Sequence, residues 1–152
     1  MKSTTQNTGR MVIRKMTIKD YDEVITLWKQ GDIPCRPQGR DSRKNIEWQL
    51  KQPTSLYFIA EMNHTIIGVI LGTHDGRKGW INRLVVAPSQ RHRGVAKLLV
   101  REVESRLAAD GIDIVACLVE DWNETSQRVF KRLGYTKHDD ILYFSKRKTL
   151  KV

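Results

Sequence analysis

The stretch from Leu84 to Ala96 constrains the fold of this chain more than any other part of its sequence. An apolar strand ends at Pro88, a short basic loop follows, and Gly94 opens an amphipathic helix. Backbone N–H groups at the start of a helix lack acceptors within it, and the helix dipole favours negative charge there. Arg91 and Arg93 add positive charge, and Gly94 allows a ligand to approach the backbone closely. The segment therefore predicts a seat for a pyrophosphate, with a plain basic strand-to-helix turn as the alternative.

The spacing Arg91-x-x-Gly94-x-Ala96 differs from two common phosphate-binding motifs. It lacks the three glycines and the later acid of a dinucleotide fingerprint, and no Gly-Lys-Ser/Thr follows as in a P-loop. It closely resembles the coenzyme A signature of the GNAT family of N-acetyltransferases, which reads Arg/Gln-x-x-Gly-x-Gly/Ala. The resemblance implies that this segment binds acetyl-CoA.

A second motif follows further along the chain and resembles the other hallmark of that family, Asn-x-x-Ala-x-x-x-Tyr with a later Gly-Phe or Gly-Tyr pair. Asn123, Gly134 and Tyr135 match this pattern, and Ser126 replaces the alanine. Asn123 also suits the N-cap of a helix, so capping is an equal alternative for that residue. With both motifs in family order, the resemblance covers residues 11–145. It implies this set of cofactor-binding residues: Leu84, Val85, Val86, Arg91, His92, Arg93, Gly94, Val95, Ala96, Asn123 and Phe130.

Apolar periodicity predicts the element order β-α-α-β-β-β-α-β-α-β-β, with no internal repeat and no linker. Three strand-like runs joined by short turns predict an antiparallel meander: 56–62, 65–73 and 80–86. Residues 112–119 are nearly all apolar, so we expect a central strand covered on both faces. A weak strand at Tyr135 and a last one at 141–145 complete the order. The expected fold class is an α+β sandwich, with a mixed, mostly antiparallel sheet and helices on both faces, as in the GNAT fold.

The resemblance also implies how acetyl-CoA lies on the sheet. In this family the strands corresponding to 80–86 and 112–119 splay apart, and the pantetheine arm pairs with the backbone of Leu84 and Val86. The diphosphate lies on Arg91 to Ala96, and the thioester points into the gap. Such pairing is physically reasonable, because an amide-bearing chain satisfies sheet N–H and C=O groups that are costly to bury unpaired.

Two residues that many relatives use for proton transfer are absent. The strand 80–86 carries no glutamate, and Phe130 stands where the family has a tyrosine acid. A thiol of pKa about 8.5 leaves adequately as a thiolate, so the missing acid lowers the rate without preventing transfer. Glu120 is the candidate base, against the alternatives of a water chain, an acceptor of low pKa, or a merely solvated charge. Ser126 is a candidate hydrogen-bond donor or a passive small residue, and Val86 N–H is the candidate donor to the oxyanion.

Length and composition limit the remaining possibilities. The 152 residues suit a flexible N-terminal tail, 1–10, and a single domain, 11–152. No apolar run approaches the roughly 20 residues of a membrane span, and the tail lacks an apolar signal core. Two isolated cysteines and four scattered histidines give neither a disulfide framework nor metal-ligand spacing, so we expect no metal and a cytoplasmic location.

The expected function is transfer of an acetyl group from acetyl-CoA to a primary amine of a small molecule, a protein N-terminus or a lysine. A catalytically silent acyl-CoA sensor is the alternative. The net charge of +10 also permits a nucleic-acid partner, which is less favoured because no helix-turn-helix, zinc or RNP pattern is present. We expect the acceptor site in the loop 32–40, the second helix and the turn 75–79. Arg36, Arg40 and Arg43 suggest an acidic acceptor or a solvated surface, and a homodimer is left open.

Overall fold

The predicted meander forms the centre of a five-stranded sheet in the computed structural model, which describes residues 9–150. Its strands are β1 (Met11–Lys15), β2 (Ser55–Met62), β3 (Thr65–His74), β4 (Gly79–Val86) and β5 (Val115–Cys117). Its helices are α1 (Tyr21–Gln30), α2 (Arg43–Leu50), α3 (Val95–Ala109) and α4 (Glu124–Arg132). The strands lie in chain order, antiparallel from β1 to β4, with β5 parallel to β4. Most of the predicted tail, 1–10, lies outside the described residues.

Helices cover both faces of the sheet, which confirms the predicted fold class. On one face Trp28 of α1 is fully buried, and α2 packs beside it. On the other face α3 and α4 pack together, with Leu99 at the centre of their core. Neighbouring strand residues such as Phe58 and Ile59 point to opposite faces, so β2, β3 and β4 supply both cores. Among the described residues, no helix has the length and apolarity needed to cross a bilayer.

The helix that follows the basic loop lies close against the sheet because a glycine leaves room for it. A Cβ on Gly72 of β3 would lie 2.8 Å from Cγ1 of Val103 and 3.2 Å from the carbonyl oxygen of Leu56. Val103 is fully buried at this contact. The glycine therefore sets how near α3, and with it the loop at its start, approaches the sheet.

At one point β4 carries one residue more than the segment of β3 that pairs with it. Between its pairs at Ile81 and Arg83, β4 holds the extra residue Asn82, which forms a β-bulge. A bulge bends the strand that contains it. The bend comes where pairing with β5 stops, because the last pair of that ladder joins Ile81 and Cys117. The two strands part beyond this point, so the splay that the resemblance implies is present.

Two predictions for the C-terminal third are wrong. The run 112–119 forms only a three-residue strand at one edge of the described sheet, and its neighbours Ile114 and Leu118 are 56% and 58% exposed. No strand forms in the described residues after α4, although Tyr135 and 141–145 are predicted as strands. Four consecutive large side chains there are 67 to 86% exposed: Ile141, Leu142, Tyr143 and Phe144. An apolar run indicates that burial is favourable but does not identify which edge or partner provides it.

Candidate active site

The loop from Arg91 to Gly94 enters α3 with its backbone donors unpaired. His92 and Gly94 have positive φ angles of 63° and 78°. Within residues 9–150, no backbone N–H from Arg91 to Lys97 donates to a protein acceptor. The first such bond runs from Leu98 N to the carbonyl oxygen of Gly94, at 3.1 Å. The loop is exposed, so an anion can reach these donors from solvent.

Gly94 owes its identity to backbone conformation and not to packing. A Cβ placed there would meet no protein atom within 4 Å. Its φ of 78° lies in the left-handed region, where residues with a Cβ are strained. The open space in front of this residue is where the sequence predicts a pyrophosphate.

A cavity of about 380 Å³ occupies the gap where β4 and β5 part. Residues from both strand ends line it, including Asn82 and Leu84 on one side and Leu118 and Glu120 on the other. Five predicted site residues lie together on its wall: Leu84, Glu120, Asn123, Ser126 and Phe130. The geometry thus brings the candidate base and the start of α4 to the same opening.

The other predicted cofactor residues do not line this cavity: Val85, Val86, Arg91, His92, Arg93, Gly94, Val95 and Ala96. Val85 is buried in the core beneath α1, and Val95, the first residue of α3, is buried between that helix and the sheet. Of these two residues, only the backbone is therefore open to a ligand. Arg91, His92 and Arg93 are exposed on the loop itself.

Asn123 caps α4, so the capping role considered for it is present. Its Oδ1 accepts a hydrogen bond from Ser126 N at 3.1 Å. Phe130, one turn beyond Ser126, is buried and meets the Tyr135 ring edge-on, with centroids 5.1 Å apart. These contacts fix the wall of the cavity that α4 supplies.

Glu120 is exposed at the rim of the cavity, and its carboxylate has no protein partner in the described part of the chain. Tyr135, the nearest phenol in sequence to Phe130, instead donates to Glu104 Oε1 at 2.8 Å and does not line the cavity. Burial, and then that hydrogen bond, raise the pKa of Tyr135. Burial also raises the pKa of the Cys117 thiol on the cavity wall to about 11, so the thiol is neutral at pH 7.

Sequence reasoning missed Arg83, which forms a buried ion pair beside the cavity. Its Nη2 donates to Asp41 Oδ2 at 2.9 Å and to the carbonyl oxygen of Pro34 at 3.1 Å. The two side chains are only 10% and 7% exposed, and the guanidinium lies 4.3 Å from the ring centroid of Trp28. The pair ties the loop after α1 to β4. A charged arginine inside a mostly apolar strand is the signal that could have indicated it.

Of the three elements predicted to form the acceptor site, only the loop lines this cavity, and the acceptor site itself stays a prediction. Ile33, Pro34, Arg36 and Arg40 of the loop line the cavity, whereas no residue of α2 or of the turn 75–79 does. Arg43, grouped with the loop arginines by sequence, lies elsewhere: it bonds Asp22 Oδ2 at 2.6 Å. Two of the three arginines therefore face the cavity.

Comparison with known proteins agrees with this architecture. The family model described as Acetyltransferase (GNAT) family matches residues 21–135. The aminoglycoside N-acetyltransferase AAC(6')-Iy in complex with CoA is 25% identical, with a TM-score of 0.77 over 94% of this chain and 99% of its own. A second structure of that enzyme, with the bisubstrate analogue CoA-S-monomethyl-acetylneamine, is 26% identical, with a TM-score of 0.77 over 91% of this chain and 99% of its own. The PaiA N-acetyltransferase of Thermoplasma acidophilum, in complex with coenzyme A, shares the fold at 19% identity, with a TM-score of 0.78 over 87% of this chain and 93% of its own.

Proposed function

The chain belongs to the GNAT acetyltransferase family, and we propose that it transfers the acetyl group of acetyl-CoA to a primary amine in the cavity between β4 and β5. The observation that carries the proposal is the row of unpaired backbone N–H groups from Arg91 to Lys97, beside the end of a strand that lines the cavity. The CoA and CoA-analogue complexes of AAC(6')-Iy support acetyl-CoA as the co-substrate.

The loop fits a diphosphate by its donor chemistry. The free N–H groups and the start of α3 favour an anion, and the exposed guanidinium groups of Arg91 and Arg93 add charge. We assign the pantetheine arm to the gap, against the backbone of Leu84 and Val86. Asn123 and Phe130 would flank the arm from α4.

The transfer itself needs a free amine and a place for one proton. The amine nitrogen forms a bond to the acetyl carbonyl carbon, the carbon–sulfur bond breaks, and the sulfur leaves with the electron pair as a thiolate. We assign the proton lost by the nitrogen to the Glu120 carboxylate, which faces the cavity and has no partner among the described residues. The N–H of Val86 is the proposed donor to the carbonyl oxygen as negative charge develops, and the Ser126 hydroxyl the proposed donor to the leaving sulfur.

Replacement of Glu120 tests the assignment of the base. Glu120→Gln should lower kcat by about 100-fold, within the range for a general base, and leave the Kd for acetyl-CoA unchanged. Glu124→Gln is the matched control, because Glu124 is exposed on α4, pairs with Arg128 at 3.7 Å and does not line the cavity. Release of CoA thiol measures the rate and calorimetry measures the affinity. Equal rates for the two variants would show that Glu120 is not the base.

A silent acyl-CoA sensor gives a different result in the same experiment. It would bind acetyl-CoA with the parent affinity and release no CoA thiol with any amine. Steady release of CoA thiol that depends on the concentration of one amine would show that the protein is an enzyme and not a sensor.

We also propose that the chain pairs with a second copy through residues 141–144. Their four large side chains are exposed at 67 to 86%, and an apolar run of this kind favours burial. Leu142→Lys should lower the molar mass measured by light scattering, whereas Leu150→Lys, on the 91% exposed Leu150 beyond this run, should leave it unchanged. A parent protein of monomer mass at every concentration would contradict the pairing.

Cys35 and Cys117 are free thiols, which is compatible with the proposed cytoplasmic location.

A further inference from the structure

The charge lining the cavity between β4 and β5 is unevenly divided. Arg36, Arg40, Arg83 and Arg147 lie on its wall, and among the described residues Glu120 is the one carboxylate there. Arg36 and Arg40 come from the loop after α1, and Glu120 follows β5 on the other side. A molecule in this cavity therefore meets mostly cations on the loop side and a single anion on the β5 side.

The carboxylate of Asp41, which pairs with Arg83 of the wall, is already occupied. Asp41 Oδ2 accepts from Arg83 Nη2 at 2.9 Å and from Arg36 N at 2.7 Å, and Arg40 Nε lies 4.0 Å away. Its side chain is 7% exposed. The negative charge of Asp41 thus balances the charge of about one of these arginines. Its carboxylate is too buried to bind a positively charged ligand.

The arginines differ in how firmly they are held. Arg83 is fixed by Asp41, by Pro34 O and by the Trp28 ring, yet its Nη1 is buried with no acceptor in residues 9–150. Arg36 and Arg40 are exposed, so their guanidinium groups can turn toward a ligand. A carboxylate or phosphate between them gains charge-assisted hydrogen bonds, which are stronger than neutral ones.

We propose that the acceptor is an amine that carries an anionic group, a carboxylate or a phosphate, on the same molecule. This inference rests on the proposed acetyl transfer and names its substrate class. The amine end faces Glu120, which takes its proton, and the anionic end faces the loop arginines. Polycationic amines such as polyamines and aminoglycosides are disfavoured, because each further ammonium group must lie near an arginine.

Matched amines test the proposal by release of CoA thiol at equal concentration. The pairs are 4-aminobutyrate with butylamine, phosphoethanolamine with ethanolamine, and a peptide beginning Glu-Glu with one beginning Lys-Lys. Spermidine and kanamycin represent polycations. The anionic member of at least one pair should have a kcat/KM at least about tenfold higher than its partner, and the ratio should shrink as salt is raised. Comparison of the first two pairs separates carboxylate from phosphate.

Variants of the loop locate the selectivity. The double variant Arg36→Gln/Arg40→Gln should lower kcat/KM for the preferred anionic amine about tenfold, mainly through KM, and leave the Kd for acetyl-CoA unchanged. Arg43→Gln is the control, because Arg43 carries the same charge but bonds Asp22 outside the cavity. Equal loss of the preference for anionic amines in the double variant and in Arg43→Gln would show that Arg36 and Arg40 do not recognise the anionic group.

The failures of the two proposals can be told apart. Preference for spermidine, kanamycin or the neutral amines overturns the anionic acceptor and leaves acetyl transfer intact. Binding of acetyl-CoA with no turnover of any amine overturns the transfer itself and with it the acceptor class.

Discussion

Replacing Gly94 with aspartate should weaken acetyl-CoA binding about 30-fold and leave the fold intact. A side chain at this position meets no protein atom within 4 Å, so it projects into the space that we assign to the diphosphate. Aspartate tolerates the left-handed backbone at φ 78° better than most residues, and the cost to the free energy of unfolding is about 1 kcal/mol. The electrostatic cost to binding is larger. A carboxylate about 4 Å from each of two phosphate charges loses about 1 kcal/mol per pair even in bulk water, which sums to about 2 kcal/mol.

Gly94→Asn is the control that isolates charge from bulk. Asparagine has nearly the same shape and the same tolerance of positive φ, but it carries no charge. Calorimetric titration with acetyl-CoA at about 0.15 M salt gives both affinities, and thermal unfolding shows that both variants are folded. The aspartate variant should bind more weakly than the asparagine variant by the electrostatic part alone. Equal Kd values for the two would show that no diphosphate lies near this residue.

Three further predictions concern stability and can be read from urea unfolding. Arg83→Leu should cost about 3 kcal/mol, because the buried Asp41 carboxylate loses its closest cation and keeps only the Arg36 N–H and Arg40 at 4.0 Å, whereas Arg83→Leu/Asp41→Leu should cost much less. Burial opposes ionisation of Asp20, but hydrogen bonds such as those from Arg14 outweigh it, and the pKa of Asp20 lies below its usual value. Its contribution to stability is therefore full above a pH of about 3.9 and is lost as pH falls through the lowered pKa, so Asp20→Asn should flatten this acid limb. Gly72→Ala should cost about 1–3 kcal/mol, because its Cβ would lie 2.8 Å from a methyl group of α3.

Each of these stability predictions has an outcome that contradicts it. A double variant as unstable as Arg83→Leu would show that lost packing, and not the loss of the cation nearest to Asp41, is responsible. Parallel acid limbs for the parent and Asp20→Asn would exclude a lowered pKa as the cause. A neutral Gly72→Ala would mean that α3 moves away from the sheet without loss.

Local features of this chain could be predicted from its sequence because their causes are local. Asn123 caps α4 through a hydrogen bond that spans three residues, and Gly111, with φ 75°, follows the end of α3. The free N–H groups after Arg91 follow from the start of a helix, whatever packs around it. The strand-like runs and the short turns between them likewise predict the meander, and the near-continuous burial of β2 and β3 follows from packing on both faces.

Long-range features could not be predicted in this way. The partner of Arg83 is Asp41, 42 residues earlier, and nothing near either residue indicates the other. The run 112–119 has the apolarity of a central strand, but its position at the described edge depends on which strands pair beside it. The unpaired run 141–144 shows the same limit, because hydrophobicity reports a preference for burial and not the surface that satisfies it.

The width of the cavity between β4 and β5 depends on one inserted residue in β4. Ile81 packs toward α3 and Arg83 toward α1, and Asn82 is the surplus residue between them. Deleting Asn82 would keep both neighbours on their present faces, because adjacent strand residues alternate. It would also straighten the strand and allow the ladder with β5 to run on past Cys117. Substitutions in the lining can therefore change which molecules enter the cavity between β4 and β5, whereas deletion of the single residue Asn82 would close the cavity by extending strand pairing across it.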